Sequence, residues 1–238
     1  MRLVHLFYFM THPMTASKRT ILTIGNCNYS SWSMRPWVAL TAAGMAFDTH
    51  MVVMDTPEFK AHVGALNPAG KVPVLQDGGL AVWDTLAIIE YAYESHPAIW
   101  PVEKAARARA RSLCAQMHSG FTGVRSAMPM NIEAHLPGLG HTPAALADVA
   151  AIEALWGDAL AAHGGPFLFG AWSAADAYFA PVVMRFYTYA PPVNARSTAY
   201  MAAVKAHPAV AQWIERALQE RIYLAIDEPY RSAAQAGY

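Results

Sequence analysis

In the first hundred residues the apolar positions switch repeatedly between two spacings. Ile21 to Gly25 is a short β-branched run closed by Gly-Asn, the pattern of a buried strand. From Ser30 to Gly44 the spacing becomes helical: Trp37, Val38, Leu40 and Ala43 share a face, and Gly44 can supply a left-handed stop. Phe47 to Met54 reads as a second strand, and Pro57 to Leu66 as a weaker helix. Val72 to Gln76 and Leu80 to Trp83 are strands joined by Asp77-Gly78-Gly79, a hairpin turn sequence. Asp84 to Ser95 is a third helix, stopped near Pro97. The order β-α-β-α-β-β-α predicts a mixed four-stranded sheet with helices against it.

Beyond Pro97 only helical spacing remains. Glu103 to Ala127 reads as one long helix rich in Ala and Arg. Pro143 to His163 carries Ile152, Leu155, Trp156 and Leu160 on one stripe. Ser173-Ala174-Ala175-Asp176 precedes an apolar run in the manner of a capping box. Pro208 to Glu220 is the last clear helix. The expected organisation is an α/β half over residues 19–97, a proline-containing connector, and an all-helical half over 103–238.

Composition narrows the function. The 238 residues are 55% apolar, enough for a sizeable core and unlike a disordered chain. Seventeen basic and seventeen acidic residues cancel, so no overall field draws in nucleic acid or an anionic membrane. Arg107, Arg109 and Arg111, spaced by alanines, read as a solvated helix face. Two cysteines cannot build a disulfide framework or a four-ligand zinc site, and low cysteine use fits a reducing compartment. The ten histidines show no metal-ligand spacing, so no metal is expected, and the expected location is cytoplasmic. Leu3 to Met10 is apolar but too short to span a bilayer, and His12 and Pro13 spoil a cleavage site. It reads as a non-functional leader or extension, with a true start at Met14 as the alternative.

Three segments carry candidate chemistry. In Asn67-Pro68-Ala69-Gly70-Lys71-Val72-Pro73-Val74-Leu75, Pro73 opens an apolar strand, where proline is tolerated at an edge or a bend. A cis Val72-Pro73 bond would turn the Val72 backbone outward to pair with an extended peptide-like ligand; a plain strand-edge proline is the other reading. In Trp83-Asp84-Thr85 a strand passes straight into a helix, whose first N–H groups are unpaired and favour a carboxylate. Thr85 adds a hydroxyl, and Asp84 a fixed charge for an ammonium. By itself the pair also reads as an ordinary N-cap. In Asn28-Tyr29-Ser30-Ser31-Trp32-Ser33-Met34-Arg35, hydroxyls stand at another helix start, where a bound thiol would ionise more easily than at its free pKa of about 8.5. Serine capping alone is the competing account.

Together these segments resemble the glutathione transferases, most closely the serine enzymes of the zeta type and related bacterial proteins. The family's Ser-Ser-Cys-Ser-x-Arg stretch is matched by Ser30 to Arg35, its Asn-Pro-x-x-x-Val-Pro segment by Asn67 to Pro73, and its acidic-plus-hydroxyl pair by Asp84-Thr85. Ser173 to Asp176 resembles its capping box. The likeness is specific in the first half and loose in the second. It implies a thioredoxin-like glutathione-binding half, a helical half contributing the electrophile site, and a homodimer. It further implies that Ser30 holds the glutathione thiolate, Lys71, Val72 and Pro73 lie beside the cysteinyl and glycyl parts, and Asp84 and Thr85 clamp the γ-glutamyl end. Two departures bear on this. Trp32 replaces the family's cysteine, which lowers the prospect of maleylacetoacetate-type isomerase chemistry. The loop from Gly25 to Tyr29 looks longer, so Ser31 is the alternative to Ser30.

Cys27 begins a Cys-x-x-Ser sequence of the glutaredoxin form, but Ser30, not Cys27, stands five residues before Arg35 as a reactive cysteine would. Cys114 reads as packing. For the electrophile, a small and largely apolar molecule, the candidates are Arg125, Met128, Pro129, Met130 and Asn131. The methionines offer an adaptable wall and Arg125 a charge for an anionic group. Core and surface roles for these residues are equally compatible with the sequence. The rivals to a transferase are the isomerase and a non-catalytic binding protein.

Overall fold

The computed structural model describes residues 19–237; the Leu3–Met10 run lies outside them. Four strands, β1 (Ile21–Ile24), β2 (Asp48–Met51), β3 (Val74–Asp77) and β4 (Leu80–Trp83), form one sheet in the order β2-β1-β3-β4. β1 runs parallel to β2 and antiparallel to β3, with Leu22 facing Thr49 on one side and Leu75 on the other. β3 and β4 form the expected hairpin. Three helices alternate with the strands: α1 (Ser31–Ala42), α2 (Pro57–Leu66) and α3 (Thr85–Tyr93). This is the thioredoxin-like half. Pro73, which lacks an N–H for the ladder, lies just before β3, and the Val72–Pro73 bond is cis.

A 3₁₀ turn at Pro97–Ile99 leads into the helical half. Its helices are α4 (Lys104–Ser119), α5 (Thr122–Ala127), α6 (Pro143–His163), α7 (Ala174–Tyr189), α8 (Ala195–Ala206), α9 (Pro208–Glu220) and the short α10 (Ala233–Ala236). The helix expected over Glu103 to Ala127 is divided. Gly120 leaves α4 in an extended conformation, φ −108° and ψ −166°, in which a Cβ would lie 2.8 Å from the Gln116 carbonyl oxygen, and Phe121 then adopts a left-handed backbone, φ 56°, so the helix ends there. Helix α8 has no counterpart in the sequence reading. Its chain is largely alanine and small polar residues, and only Ser197, Tyr200, Met201 and Val204 are buried.

α7 is the central pillar. All but one of its residues are buried, and it packs against α1, α4 and α8. Its capping box is formed: Ala175 N–H donates to Ser173 Oγ at 3.3 Å and Ser173 N–H donates to Asp176 Oδ2 at 2.9 Å. One continuous core runs from Leu22, Trp37 and Ile88 through Tyr178 and Trp156 to Trp213. The α1–α7 contact therefore ties the sheet to the helices, and sets what the first turn of α1 can meet.

Candidate active site

The loop after β1 folds back before α1, with Ser30 N–H donating to the Asn26 carbonyl at 2.8 Å. Ser30 is the N-cap: its Oγ accepts from Ser33 N–H at 3.3 Å and donates to Ser33 Oγ at 2.8 Å. Ser31 differs. Its Oγ accepts from Arg185 Nη2 on α7 at 3.2 Å and donates to no described residue. Both serines are buried, and the next residue, Trp32, is half-exposed.

Asp84 caps α3, accepting from Leu86 N–H at 2.8 Å. Its backbone, φ 76° and ψ 138°, lies in a region a non-glycine residue rarely occupies; such strain persists where the surroundings dictate it and concentrates at functional sites. Asp84 Oδ2 is 3.4 Å from His118 Nε2 of α4, and His118 Nδ1 is 2.9 Å from the Tyr178 hydroxyl of α7. That hydroxyl makes a short hydrogen bond with Thr85 Oγ1. Three helices thus close a ring of polar groups around the start of α3. His118 and Tyr178 were invisible to the sequence reading, because neither belongs to a local motif.

The third segment is the Pro73 loop. Asn67 Nδ2 donates to the Lys71 carbonyl at 2.9 Å and holds the loop closed. The N–H and C=O of Val72 make no hydrogen bond with another described residue. Unpaired backbone groups beside a cleft are available to a peptide-like ligand.

These segments face one cleft of about 330 Å³, which brings together Lys71, Val72, Pro73, Asp84, Thr85 and Arg125. Trp32, Ala69, Trp83 and His118 complete its walls. Of the residues expected around the electrophile, Met128, Pro129, Met130 and Asn131 do not line it, and Met130 is buried in the main core. Once α5 ends at Ala127 the chain turns inward, and Met128 packs in a small core with Ala145 and Tyr189. Asn131 is also buried, its Oδ1 accepting from Asn28 Nδ2 at 3.0 Å, so it braces the loop before α1. Ser30 and Ser31 sit at the start of the helix that carries Trp32 into the cleft, rather than in its wall.

Positive charge accumulates beside Trp32. The Cζ of Arg35 lies 4.4 Å from the Trp32 ring centroid, and that of Arg125 lies 4.7 Å from it. Burial pulls Arg35 down to about 10 and Arg185 down to about 9, and each is lowered further by neighbouring arginines. By contrast, burial pushes the Cys27 thiol up to about 12, reinforced by the Glu220 carboxylate. Cys27 is buried and does not line the cleft, and a raised pKa disfavours the thiolate that a reactive cysteine needs. Cys114 is fully buried and likewise raised. A larger hollow of about 600 Å³ lies near Trp37, Phe47 and Arg216, and none of the residues that carry candidate chemistry lines it. Among the described residues no group of side chains is arranged to hold a metal ion, and no helix is long and apolar enough to cross a membrane.

A thioredoxin-like sheet joined to a helical bundle, with a cleft at their seam, defines a recognisable class. Residues 29–95 match the glutathione S-transferase N-terminal domain, and residues 104–216 match the corresponding C-terminal domain. The chain belongs to the glutathione S-transferase family. A glutathione transferase homologue from Burkholderia GL BGR1 with bound glutathione superposes with a TM-score of 0.65 at 23% identity, covering 85% of this chain and 100% of that one. The theta class glutathione S-transferase from Xanthomonas axonopodis pv. citri, also with glutathione bound, gives 0.61 at 25%, covering 83% and 97%. Sequence relatives match in part. A probable maleylacetoacetate isomerase of Caenorhabditis elegans is 34% identical over 94 residues, 39% of this chain and 44% of that protein. A stringent starvation protein A homologue of Pasteurella multocida is 31% identical over 100 residues, 41% and 46%. The chain spans less than half the length of these two relatives.

Proposed function

We propose that this protein is a glutathione transferase that activates the glutathione thiol for attack on a small electrophile. The observation that carries the reading is the convergence on one cleft of the unpaired Val72 backbone, the Asp84–Thr85 start of α3 and the Trp32 turn of α1. Residues 19–97 supply the tripeptide's contacts in this reading. Val72 pairs with its backbone beside Pro73. Lys71 faces its glycyl carboxylate. Asp84 receives the γ-glutamyl ammonium, and Thr85 with the first N–H groups of α3 receives the adjoining carboxylate. The helical half, residues 103–238, offers the electrophile, with Arg125 at the wall. The proposed protein is a cytoplasmic homodimer that needs no metal.

The hydrogen bonds of the two serines support different roles for them. The hydroxyl proton of Ser30 is engaged by Ser33, whereas Ser31 accepts from the Arg185 guanidinium and keeps its own proton free to donate. Ser31 is therefore the proposed donor to the thiolate, and Ser30 the cap that positions it. A hydroxyl that accepts from a cation is a stronger donor, because each hydrogen bond polarises the next.

Calorimetry with glutathione, followed by a turnover screen of model electrophiles, tests the reading. Binding with turnover is the expected result, and absence of glutathione binding would sink it. Binding without turnover would place the chain with non-catalytic proteins of this fold. The partial match to a maleylacetoacetate isomerase favours a second reading, glutathione-dependent cis-trans isomerisation, so a maleyl-substituted substrate belongs in the screen. Light scattering at micromolar concentration checks the homodimer; a monomer there contradicts it.

A further inference from the structure

Once Lys71, Asp84 and the start of α3 are assigned to glutathione, the cleft keeps one cation to spare. Arg125, on α5, donates only Nη1 to the His118 carbonyl at 3.0 Å and lays its guanidinium by Trp32. Beside it stand two more arginines, both more than nine-tenths buried. Arg35 donates Nε to the Tyr178 carbonyl at 3.2 Å, and its Nη1 has no partner. Arg185 spends Nη1 on the Met128 carbonyl and, at 3.4 Å, on that of Arg125, and Nη2 on Ser31 Oγ at 3.2 Å. None of the three forms an ion pair with a carboxylate among the described residues. Asp84 and Asp227 act on Arg35 and Arg185 only at longer range.

Buried charge is ordinarily matched by a partner, and an unmatched cluster of one sign favours a counter-ion at its accessible edge. That edge is Arg125. The adjoining surface is flat and aromatic: the Trp32 ring, with His118 edge-on at 5.0 Å between ring centroids. We infer that the electrophile accepted beside Trp32 is a planar, aromatic or conjugated molecule bearing a carboxylate, with Arg125 as its counter-ion. This rests on the transferase reading and changes its substrate class. The adaptable apolar wall expected from Met128 is absent, because that side chain packs in a separate core.

The test compares two ligands by calorimetry: S-(4-carboxybenzyl)glutathione and its benzoate methyl ester, alongside glutathione itself. The acid is expected to bind at least about tenfold more tightly than the ester, the low end of a charge-assisted hydrogen bond. Arg125→Gln should abolish that preference while weakening glutathione far less than the acid conjugate. Arg125→Lys, which keeps the charge, should retain part of it and guards against a glutamine variant that folds poorly. Turnover gives a second readout with 4-(bromomethyl)benzoate and its methyl ester. In both, the thiolate sulfur bonds to the benzylic carbon as bromide leaves with the carbon–bromine electron pair, so only the remote charge differs. Equal affinity for acid and ester overturns the inference while glutathione binding leaves the transferase reading standing. Equal weakening of glutathione and both conjugates in Arg125→Gln overturns it too, by placing Arg125 on the tripeptide. Failure of glutathione to bind the wild type removes the transferase reading, and the inference with it.

Discussion

Ser30 and Ser31 are adjacent and chemically identical, yet their hydrogen bonds differ, and the roles proposed for them differ accordingly. Replacing Ser31 by alanine should raise the pKa of bound glutathione's thiol by about one to two units, since a hydrogen bond to a charged group contributes roughly 1.5–3 kcal/mol and one unit is about 1.4 kcal/mol. Ser30→Ala should instead cost stability, about 1 kcal/mol for a lost cap, with a smaller effect on the thiol. Thiolate absorbance against pH, with glutathione bound to each variant, checks this; the larger shift in Ser30→Ala would reverse the roles. Asp84 also needs its functions separated. Asp84→Asn keeps an oxygen for the Leu86 N–H but loses the charge for an ammonium. Glutathione affinity should fall by roughly tenfold or more while the melting temperature changes little. Calorimetry that finds equal affinity removes Asp84 from the clamp.

Among the elements, α7 carries the most consequence, and Asp176 sets its start. Its carboxylate accepts from Leu168 N–H, Ser173 N–H, Ser173 Oγ and the Tyr200 hydroxyl. Burial nevertheless pushes its pKa up from 3.8 to about 6. The folded state therefore holds the proton more firmly than the unfolded state. This group's contribution is fully present below pH 4 and is lost as the pH rises through 6. Relative to Asp176→Asn, the wild type should lose about 2 kcal/mol of stability between pH 4 and pH 7. Urea unfolding of both proteins at pH 4 and pH 7 measures the difference, in which other carboxylates cancel. A constant difference would mean that Asp176 does not titrate in this window. The α4–α5 break shows the limit of local pattern: helical spacing runs through Gly120 and Phe121, but the extended backbone of the one and the left-handed turn of the other end the helix.

At the scale of the whole molecule, the loop that presents Ser30 and Ser31 is held from the far end of the chain. Glu220, closing α9, accepts from Asn26 Nδ2 at 2.6 Å and from Asn28 N–H at 3.2 Å. Tyr29 donates to Glu228, which Arg231 binds in turn. Glu220→Ala leaves two part-buried donors unpaired and should cost about 2–4 kcal/mol, measured by urea unfolding. A loss below 0.5 kcal/mol, the ordinary range for an uninvolved surface position, would show that the anchor is dispensable. What the sequence by itself determined were the features written in neighbouring residues: strand and helix spacing, the hairpin turn, the Ser173–Asp176 cap, the Pro73 loop and the Asp84–Thr85 helix start. Each depends on a backbone period or a side chain reaching a few residues along. Only the tertiary structure decided which serine hydroxyl meets Ser33 and which meets Arg185, that His118 and Tyr178 join the α3 start, that Met128 and Asn131 turn away from the cleft, and that Arg35 and Arg125 meet over Trp32 with Arg185 beside Arg125. Those outcomes depend on α7 packing against α1 and α4, between residues far apart in the chain, and no local spacing encodes those contacts.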